Sequence, residues 1–403
     1  MSVVLRVVQI VPDDRDMFRN YELPEPYFGS APTALLEGLS EWNDSVEVHV
    51  ISCVRKRMPA PPQLAGNIFY HQVLVSGGYR RTLFFEAVRK VRKKIREINP
   101  DFVNGHGTED YPALCAAFSG YPNCITLHGN MRAVARKLHY RPFHRVPLDA
   151  LCEAVALKKT DAVICNSSYT ERCVGRLNSK KVRIPNAVRS SFFTHDQYRN
   201  SIQSGFEPDG KKTLLCVGEV VPYKNQIGLI HALDELASVE RFRLQFVGRC
   251  NAESAYGQRF LKEISRREWC EHIGSVDERT LQEMFASCAG LVHPTLEDSF
   301  GLVMAEAQVL GVPVVASAVG GILDLICDGE TGFLFDPGNR KEICDKVRLL
   351  LLTKRPFRIC EKAGAVARDQ YAPRCVAEAH LEFYSSMTGK VFYLNQSRDK
   401  WSF

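Results

Sequence analysis

His293-Pro-Thr-Leu-Glu-Asp-Ser-Phe-Gly-Leu-Val-Met-Ala-Glu306 runs on as Ala-Gln-Val-Leu-Gly-Val-Pro-Val-Val-Ala-Ser-Ala-Val-Gly-Gly321. The pattern predicts a strand ending at His293, a polar turn, a helix over Gly301–Leu310 that Gly311 stops, and a strand over Val312–Ala316. A helix opening directly after a strand points its first N–H groups and its positive dipole end beyond the sheet edge, where both favour an anion. Asp298 lies in the turn and Glu306 about two helical turns further on. A diphosphate suits the helix start, which leaves one carboxylate for a sugar's hydroxyls and the other for a ribose.

Outward from this stretch the same unit repeats. Strand patterns at Thr213–Val217, Phe242–Val247, Gly290–His293, Val312–Ala316 and Phe333–Phe335 alternate with helices. An earlier series holds Val4–Ile10, Val46–Ser52, Phe102–Asn104, Cys124–Leu127, Ala162–Cys165 and Val182–Ile184, with helices at Ala31–Leu39, Leu83–Ile98 and Asp149–Lys158. Such alternation means parallel sheets with helices on both faces, so the fold class is α/β with two Rossmann-like doubly wound domains facing across a cleft. The boundaries read as an N-terminal domain at 1–190, a polar linker at 191–210, a C-terminal domain at 211–372, and a last helix and tail at 373–403 that packs back on the first domain.

The 403 residues are 45% hydrophobic and 24% charged, ample for packed cores and unlike a disordered chain. No apolar run reaches the roughly 18–20 residues of a membrane span, and the first strand is broken by Arg6, unlike a signal peptide. The fourteen cysteines are scattered with no CxxC pair, which reads as reduced, buried thiols and a cytoplasmic location. P-loop and GxGxxG fingerprints are absent, against NTPase and dehydrogenase readings. Residues 1–190 carry 27 Lys and Arg against 18 Asp and Glu, an excess of +9, while residues 191–403 carry 25 against 28, or −3. The basic stretches Arg80–Arg96 and Arg132–Arg145, the second with Tyr140 and Phe143, read first as solvated faces. An anionic membrane surface is the sharper candidate partner, with the protein peripheral at the inner face; nucleic acid is not expected, because no recognised module accompanies the charge.

The quoted stretch resembles the signature of the retaining GT-B glycosyltransferases of the glycogen-synthase-like group, the "glycosyl transferases group 1", in which two carboxylates stand eight positions apart around a Phe-Gly. Here they fall on Asp298 and Glu306. Further matches in the family's order are Thr126-Leu-His128-Gly129, Ile164-Cys-Asn-Ser167, Ile184-Pro-Asn186, Val217-Gly218-Glu-Val-Val-Pro-Tyr-Lys224-Asn, Phe246-Val-Gly248 and His272-Ile-Gly274. The resemblance implies transfer of a hexose-type sugar from a nucleoside-diphosphate donor to a hydroxyl acceptor, a glycan or lipid-linked intermediate, with retention and with neither metal nor cofactor. It implies Lys224 on the donor diphosphate, where a point charge stabilises the leaving group. Glu306 would take the ribose hydroxyls. Asp298, Ser299, Phe300, Gly301 and Leu302 would hold the sugar and the phosphate beside it, Gly274 would lie near the base, His128 would face the sugar, and Gly29 would let backbone approach the phosphate.

Three positions depart from the family pattern. Glu219 stands where an arginine is usual, Asp298 replaces a glutamate, and Gly320-Gly-Ile-Leu-Asp324 replaces Gly-Gly-Ile-Pro-Glu. A carboxylate beside a phosphate is unfavourable unless it turns away or meets a base. Glu219 therefore motivates a rival reading, a sugar-nucleotide-binding protein with altered catalysis; a nucleotide-sugar epimerase of the same fold is another. Plainer readings stand beside these: Asp298 as a helix cap, His106 as a structural strand-end histidine, and Asp14-Arg-Asp16 as a chance Asp-x-Asp.

Overall fold

The computed structural model describes residues 4–138, 145–193, 212–352 and 357–390. The chain divides into two units, Met1–Arg189 with Tyr371–Phe403, and Ser190–Gln370.

The first unit carries an eight-stranded sheet. Its strands are β1 (Leu5–Ile10), β2 (Val46–Val54), β3 (Gln63–Ala65), β4 (Ile68–Leu74), β5 (Phe102–His106), β6 (Asn123–Leu127), β7 (Ala162–Cys165) and β8 (Lys181–Arg183). They lie in the order β3-β4-β2-β1-β5-β6-β7-β8, parallel except for the short β3. The buried runs of β5, β6 and β7 are those of strands covered on both faces. Helices α1 (Ser30–Ser40), α2 (Phe85–Ile98), α3 (Met131–Leu138), α4 (Arg145–Lys159) and α5 (Ser168–Val174) are among its connections. The pair β3 and β4 was not expected; half-buried His71 and Gln72 interrupt the apolar pattern of β4, whose Ile68, Tyr70 and Val73 are buried.

The second unit holds β9 (Lys212–Val217), β10 (Phe242–Val247), β11 (Cys270–Gly274), β12 (Gly290–His293), β13 (Val314–Ser317) and β14 (Phe333–Phe335), all parallel, in the order β11-β10-β9-β12-β13-β14. Helix α6 (Gln226–Val239) follows β9 and α7 (Leu302–Val309) follows β12, so both open at the carboxyl edge of this sheet.

The last helix, α8 (Pro373–Thr388), belongs to the first unit. It packs on α1 so closely that a Cβ on Gly38 would lie 2.0 Å from the carbonyl oxygen of Pro373. Val376, Ala377, Leu381, Phe383 and Tyr384 join Val7, Leu35, Val48 and Phe102 in one core.

The division falls one residue earlier than 190/191 and two earlier than 372/373. Gln282 Nε2 donates to Ser191 Oγ at 3.1 Å, tying Ser191 to the second unit. Val188 N–H donates to the Tyr371 carbonyl at 2.9 Å, tying Tyr371 to the first. The expected linker lies outside the described residues from 194 onward, as do 139–144 of the second basic stretch and the tail from 391. All fourteen cysteines are free thiols. Among the described residues no helix is long and apolar enough to cross a membrane.

Candidate functional site

In the second unit the strand ends bring together residues far apart in sequence. After β9 the chain turns at Gly218, makes a short 3-10 turn over Pro222–Lys224, and enters α6 through Asn225 in the left-handed conformation. The neighbouring strand β12 ends at His293, and the turn 294–301 is bound to the first by Leu296 N–H and the Thr295 hydroxyl, both donating to the Tyr223 carbonyl at 2.7 and 3.1 Å.

Lys224 thereby reaches Asp298, with Nζ 2.6 Å from Oδ2. His293 Nε2 approaches the same oxygen at 3.2 Å, while Oδ1 accepts the Phe300 N–H at 3.2 Å. Lys224 and Asp298 are 20% and 12% exposed, so their charges interact through little water. Burial opposes ionisation of Asp298, but Lys224 and the His293 N–H outweigh it and hold the carboxyl far below the usual range. Burial likewise works against the Lys224 ammonium, and Asp298 more than compensates, raising its pKa. His293 is lowered by burial and then by the Lys224 charge, so a neutral ring donates to the aspartate.

Asp298 does not cap α7. The cap is Gly301, at φ 93, with no capping side chain, so the helix opens at Leu302 rather than Gly301 and its first N–H groups are left to water or an anion. The Asp298 backbone is held from behind by Gly321 N–H, which donates to its carbonyl at 2.9 Å, and a Cβ on Gly320 would sit 2.0 Å from that oxygen. Gly320-Gly321 thus has a structural reason that does not need the residues after it. Glu306 is buried within α7, Phe300 is buried, and Ser299 and Leu302 are half buried.

Beside this site the edge of the sheet is bare backbone. Gly218, Gly248 and Gly274 end β9, β10 and β11, joined by Gly218 N–H to the Val247 carbonyl and Gly248 N–H to the Gly274 carbonyl, each at 2.8 Å. At φ 143, a Cβ on Gly248 would meet the Gly218 oxygen at 2.2 Å, whereas nothing lies within 4 Å of one on Gly218 or Gly274. Glu219, the doubtful position, is paired: Arg249 Nη2 lies 2.6 Å from its Oε1, both half exposed. The β9 and β10 loops run side by side here, so the missing arginine is answered by one on the next loop.

In the first unit His128 ends β6 and His106 ends β5. Gln9 Oε1 lies 2.7 Å from His106 Nε2, which assigns the proton there, and His106 Nδ1 then accepts from His128 Nε2 at 3.0 Å. Tyr384 from α8 accepts from Asn104 and Gln9 at 2.9 and 3.2 Å, and lies 3.0 Å from His380 Nδ1. Burial lowers His128 to about 4 and His380 to about 3, and lowers His106 as well. His106, the weaker candidate in sequence, is the residue that holds His128. Gly29, at φ 74, caps α1, and a Cβ there would lie 3.5 Å from Asp14 Oδ2. Burial and the neighbouring Asp13 raise Asp14 to about 6. Asp14 and Asp16 do not share a site, since Asp16 is paired with Arg55 at 2.8 Å.

Sequence reasoning missed His293, Arg249 and Asp14 as members of these sites. Only the position of His293 at a strand end signalled anything.

Residues 197–369 match the family described as "Glycosyl transferases group 1", and residues 33–192 match "Glycosyltransferase Family 4". Residues 197–369 are thus of the group 1 glycosyltransferase family, and the two glycosyltransferase families together account for most of the chain. One relative is the D-inositol 3-phosphate glycosyltransferase of Stackebrandtia nassauensis, 30% identical over 280 residues, which cover 63% of this chain and 60% of that protein. Another is the sulfoquinovosyl transferase SQD2 of Arabidopsis thaliana, 30% identical over 182 residues, 44% of this chain and 34% of that one. The chain therefore spans from about a third to somewhat under two thirds of these relatives' lengths.

Among solved structures, the sucrose-phosphate synthase of Thermosynechococcus elongatus superposes with a TM-score of 0.77 at 15% identity, covering 96% of this chain and 99% of that one. Anabaena HepE in complex with UDP and glucose gives 0.69 at 18% identity, covering 95% and 100%. At these identities the likeness shows the fold, GT-B, for this glycosyltransferase-family chain.

Proposed function

We propose that this protein transfers a hexose-type sugar from a nucleoside-diphosphate donor to a hydroxyl acceptor, with retention of anomeric configuration. The observation that carries the reading is the Lys224–Asp298 pair at the mouth of an uncapped helix, beside a strip of bare glycine backbone. A diphosphate arriving at α7 competes with Asp298 for the Lys224 ammonium. When Lys224 turns to the phosphate, the Asp298 carboxylate is released to accept sugar hydroxyls, still oriented by His293 and the Phe300 N–H. Charge that develops on the leaving phosphate is then met by Lys224 and the helix dipole, which need no reorganisation. Glu306 is assigned to the ribose, Gly274 to the base side, and Ser299, Phe300, Gly301 and Leu302 to the sugar and its phosphate. In the first unit His128 is assigned to the sugar and Gly29 to the phosphate approach. Neither metal nor cofactor is assigned a role.

HepE was solved with UDP-glucose, and the two relatives are a glycosyltransferase and a sulfoquinovosyl transferase. Both support a nucleotide-sugar donor here. The Glu219–Arg249 pair favours the enzyme over a binding protein with altered catalysis, because the carboxylate that would repel a diphosphate is met by a base. Transfer assayed with a panel of UDP-, GDP- and ADP-sugars tests this: tight binding without turnover on any donor would favour the altered protein, and an altered nucleotide sugar formed without acceptor would reveal an epimerase.

For the acceptor we infer a glycan or lipid-linked intermediate at an anionic membrane surface. Helix α2 buries Ala87, Val91 and Ile95 and exposes Arg89, Arg92, Lys93 and Arg96, with Leu83 and Phe85 at its start 51% and 69% exposed. Apolar side chains flanking a cationic helix suit an interface, each basic residue adding about 1 kcal/mol near anionic lipid. Failure to sediment with anionic vesicles at low salt would make a soluble acceptor the better reading.

A further inference from the structure

We propose that a cavity among α3, α4 and α5 of the first unit is an anion site for phosphate groups, separate from the donor site. It has a volume of about 520 Å³, and its lining includes Arg132, Arg136, Lys158, Tyr169, Arg172 and Arg176. Five of these carry a positive charge, and no Asp or Glu lines the cavity. Among the described residues, Arg136, Lys158, Arg172 and Arg176 form no ion pair with a carboxylate. Arg136 donates to the Arg132 carbonyl at 3.2 Å and Arg172 to Ser168 Oγ at 3.0 Å, both neutral acceptors.

Arg132 ties α3 to the end of α5. Its side chain is 23% exposed, and one arm, Nη2, donates to the Cys173 carbonyl at the end of α5, at 2.7 Å. Glu153 Oε1 is 3.9 Å from its Nε and accepts the Arg132 backbone N–H at 3.4 Å, while Glu153 Oε2 accepts the Thr108 hydroxyl at 2.7 Å and the Met131 N–H at 2.9 Å. The other arm, Nη1, is buried with no hydrogen-bond partner among the described residues.

Like charges gathered on one wall repel each other, and one multiply charged anion relieves the repulsion. Guanidinium forks match phosphate oxygens in geometry, and five cations match two or more phosphate charges better than a single carboxylate. The shared chemistry is a phosphate-bearing group, carried either by a soluble metabolite or by a lipid headgroup.

The test uses the full chain with saturating UDP throughout, so that the donor site is occupied. Inorganic pyrophosphate is titrated calorimetrically at low salt into wild type and into the variant R136A/R172A/R176A, whose three side chains are exposed and whose folding is checked by circular dichroism. The expected result is pyrophosphate binding that weakens at least tenfold in the variant. Binding unchanged in the variant would overturn the site. In a second arm, co-sedimentation with phosphatidic acid–phosphatidylcholine vesicles that is lost in the variant identifies a headgroup, while pyrophosphate binding with vesicle binding absent or unaltered identifies a soluble ligand. Binding of neither pyrophosphate nor vesicles by wild type would overturn the proposal.

Discussion

Lys224 and Asp298, 74 positions apart, meet at 2.6 Å because β9 and β12 are neighbours in the second sheet. Removing one member of a largely buried pair strands the charge of the other. Lys224→Ala should lower transfer at least a hundredfold and destabilise the fold by about 1–3 kcal/mol, less than a fully buried pair because both groups keep some water. The double variant K224A/D298A should be more stable than K224A alone and equally inactive. Urea unfolding and initial rates check this; near-normal rates in K224A would sink the site assignment.

Arg249 and Glu219 are half exposed, so their pair contributes only about 0–1 kcal/mol to stability, and its consequence is for the donor. Arg249→Ala should leave the melting temperature nearly unchanged and raise the donor KM several-fold by uncovering the carboxylate. Adding Glu219→Ala should recover part of the loss. If the double variant is as poor as the single one, repulsion by Glu219 is not the reason.

The histidine cluster of the first unit sets a pH dependence. Burial holds His380 to about 3 in the fold, below the unfolded value of about 6.5. The unfolded chain then binds the extra proton, so the contribution of a neutral His380 is complete above about pH 6.5 and is lost as pH falls toward the folded value. Asp14, raised to about 6 by burial and Asp13, works in the opposite direction, so the informative quantity is a difference between proteins. Between pH 6.5 and 4, wild type should lose on the order of 1 kcal/mol per pH unit more than His380→Gln. Parallel stability curves for the two would refute the assignment.

Gly38→Ala should disturb the seat of α8. Its Cβ would lie 2.0 Å from the Pro373 carbonyl and 2.8 Å from the Ala377 Cβ, so the helices must part. A loss of about 1–3 kcal/mol is expected, with earlier proteolysis within α8. An unchanged unfolding midpoint would show that the contact yields without strain.

The sequence by itself determined the alternation of strands and helices, the helix that opens after His293, and the eight-residue spacing of Asp298 and Glu306. Hydrophobic period, glycine stops and turn chemistry act between residues close along the chain, so they are readable without the fold. The strands β3, β4 and β11 were not legible, because polar residues such as His71, Gln72, Glu271 and His272 break their apolar runs. What the tertiary structure decided are the partnerships: Arg249 covering Glu219 from 30 positions away, His293 and Lys224 sharing one oxygen of Asp298, and Tyr384 of α8 closing on Gln9 and Asn104 across 375 and 280 positions. Each joins strand ends or helices that become neighbours only once the sheet order is set, and sheet order depends on which faces bury together. The same holds for the cavity lined by Arg132 and Arg172, whose charges lie on separate helices and gather only when those helices pack.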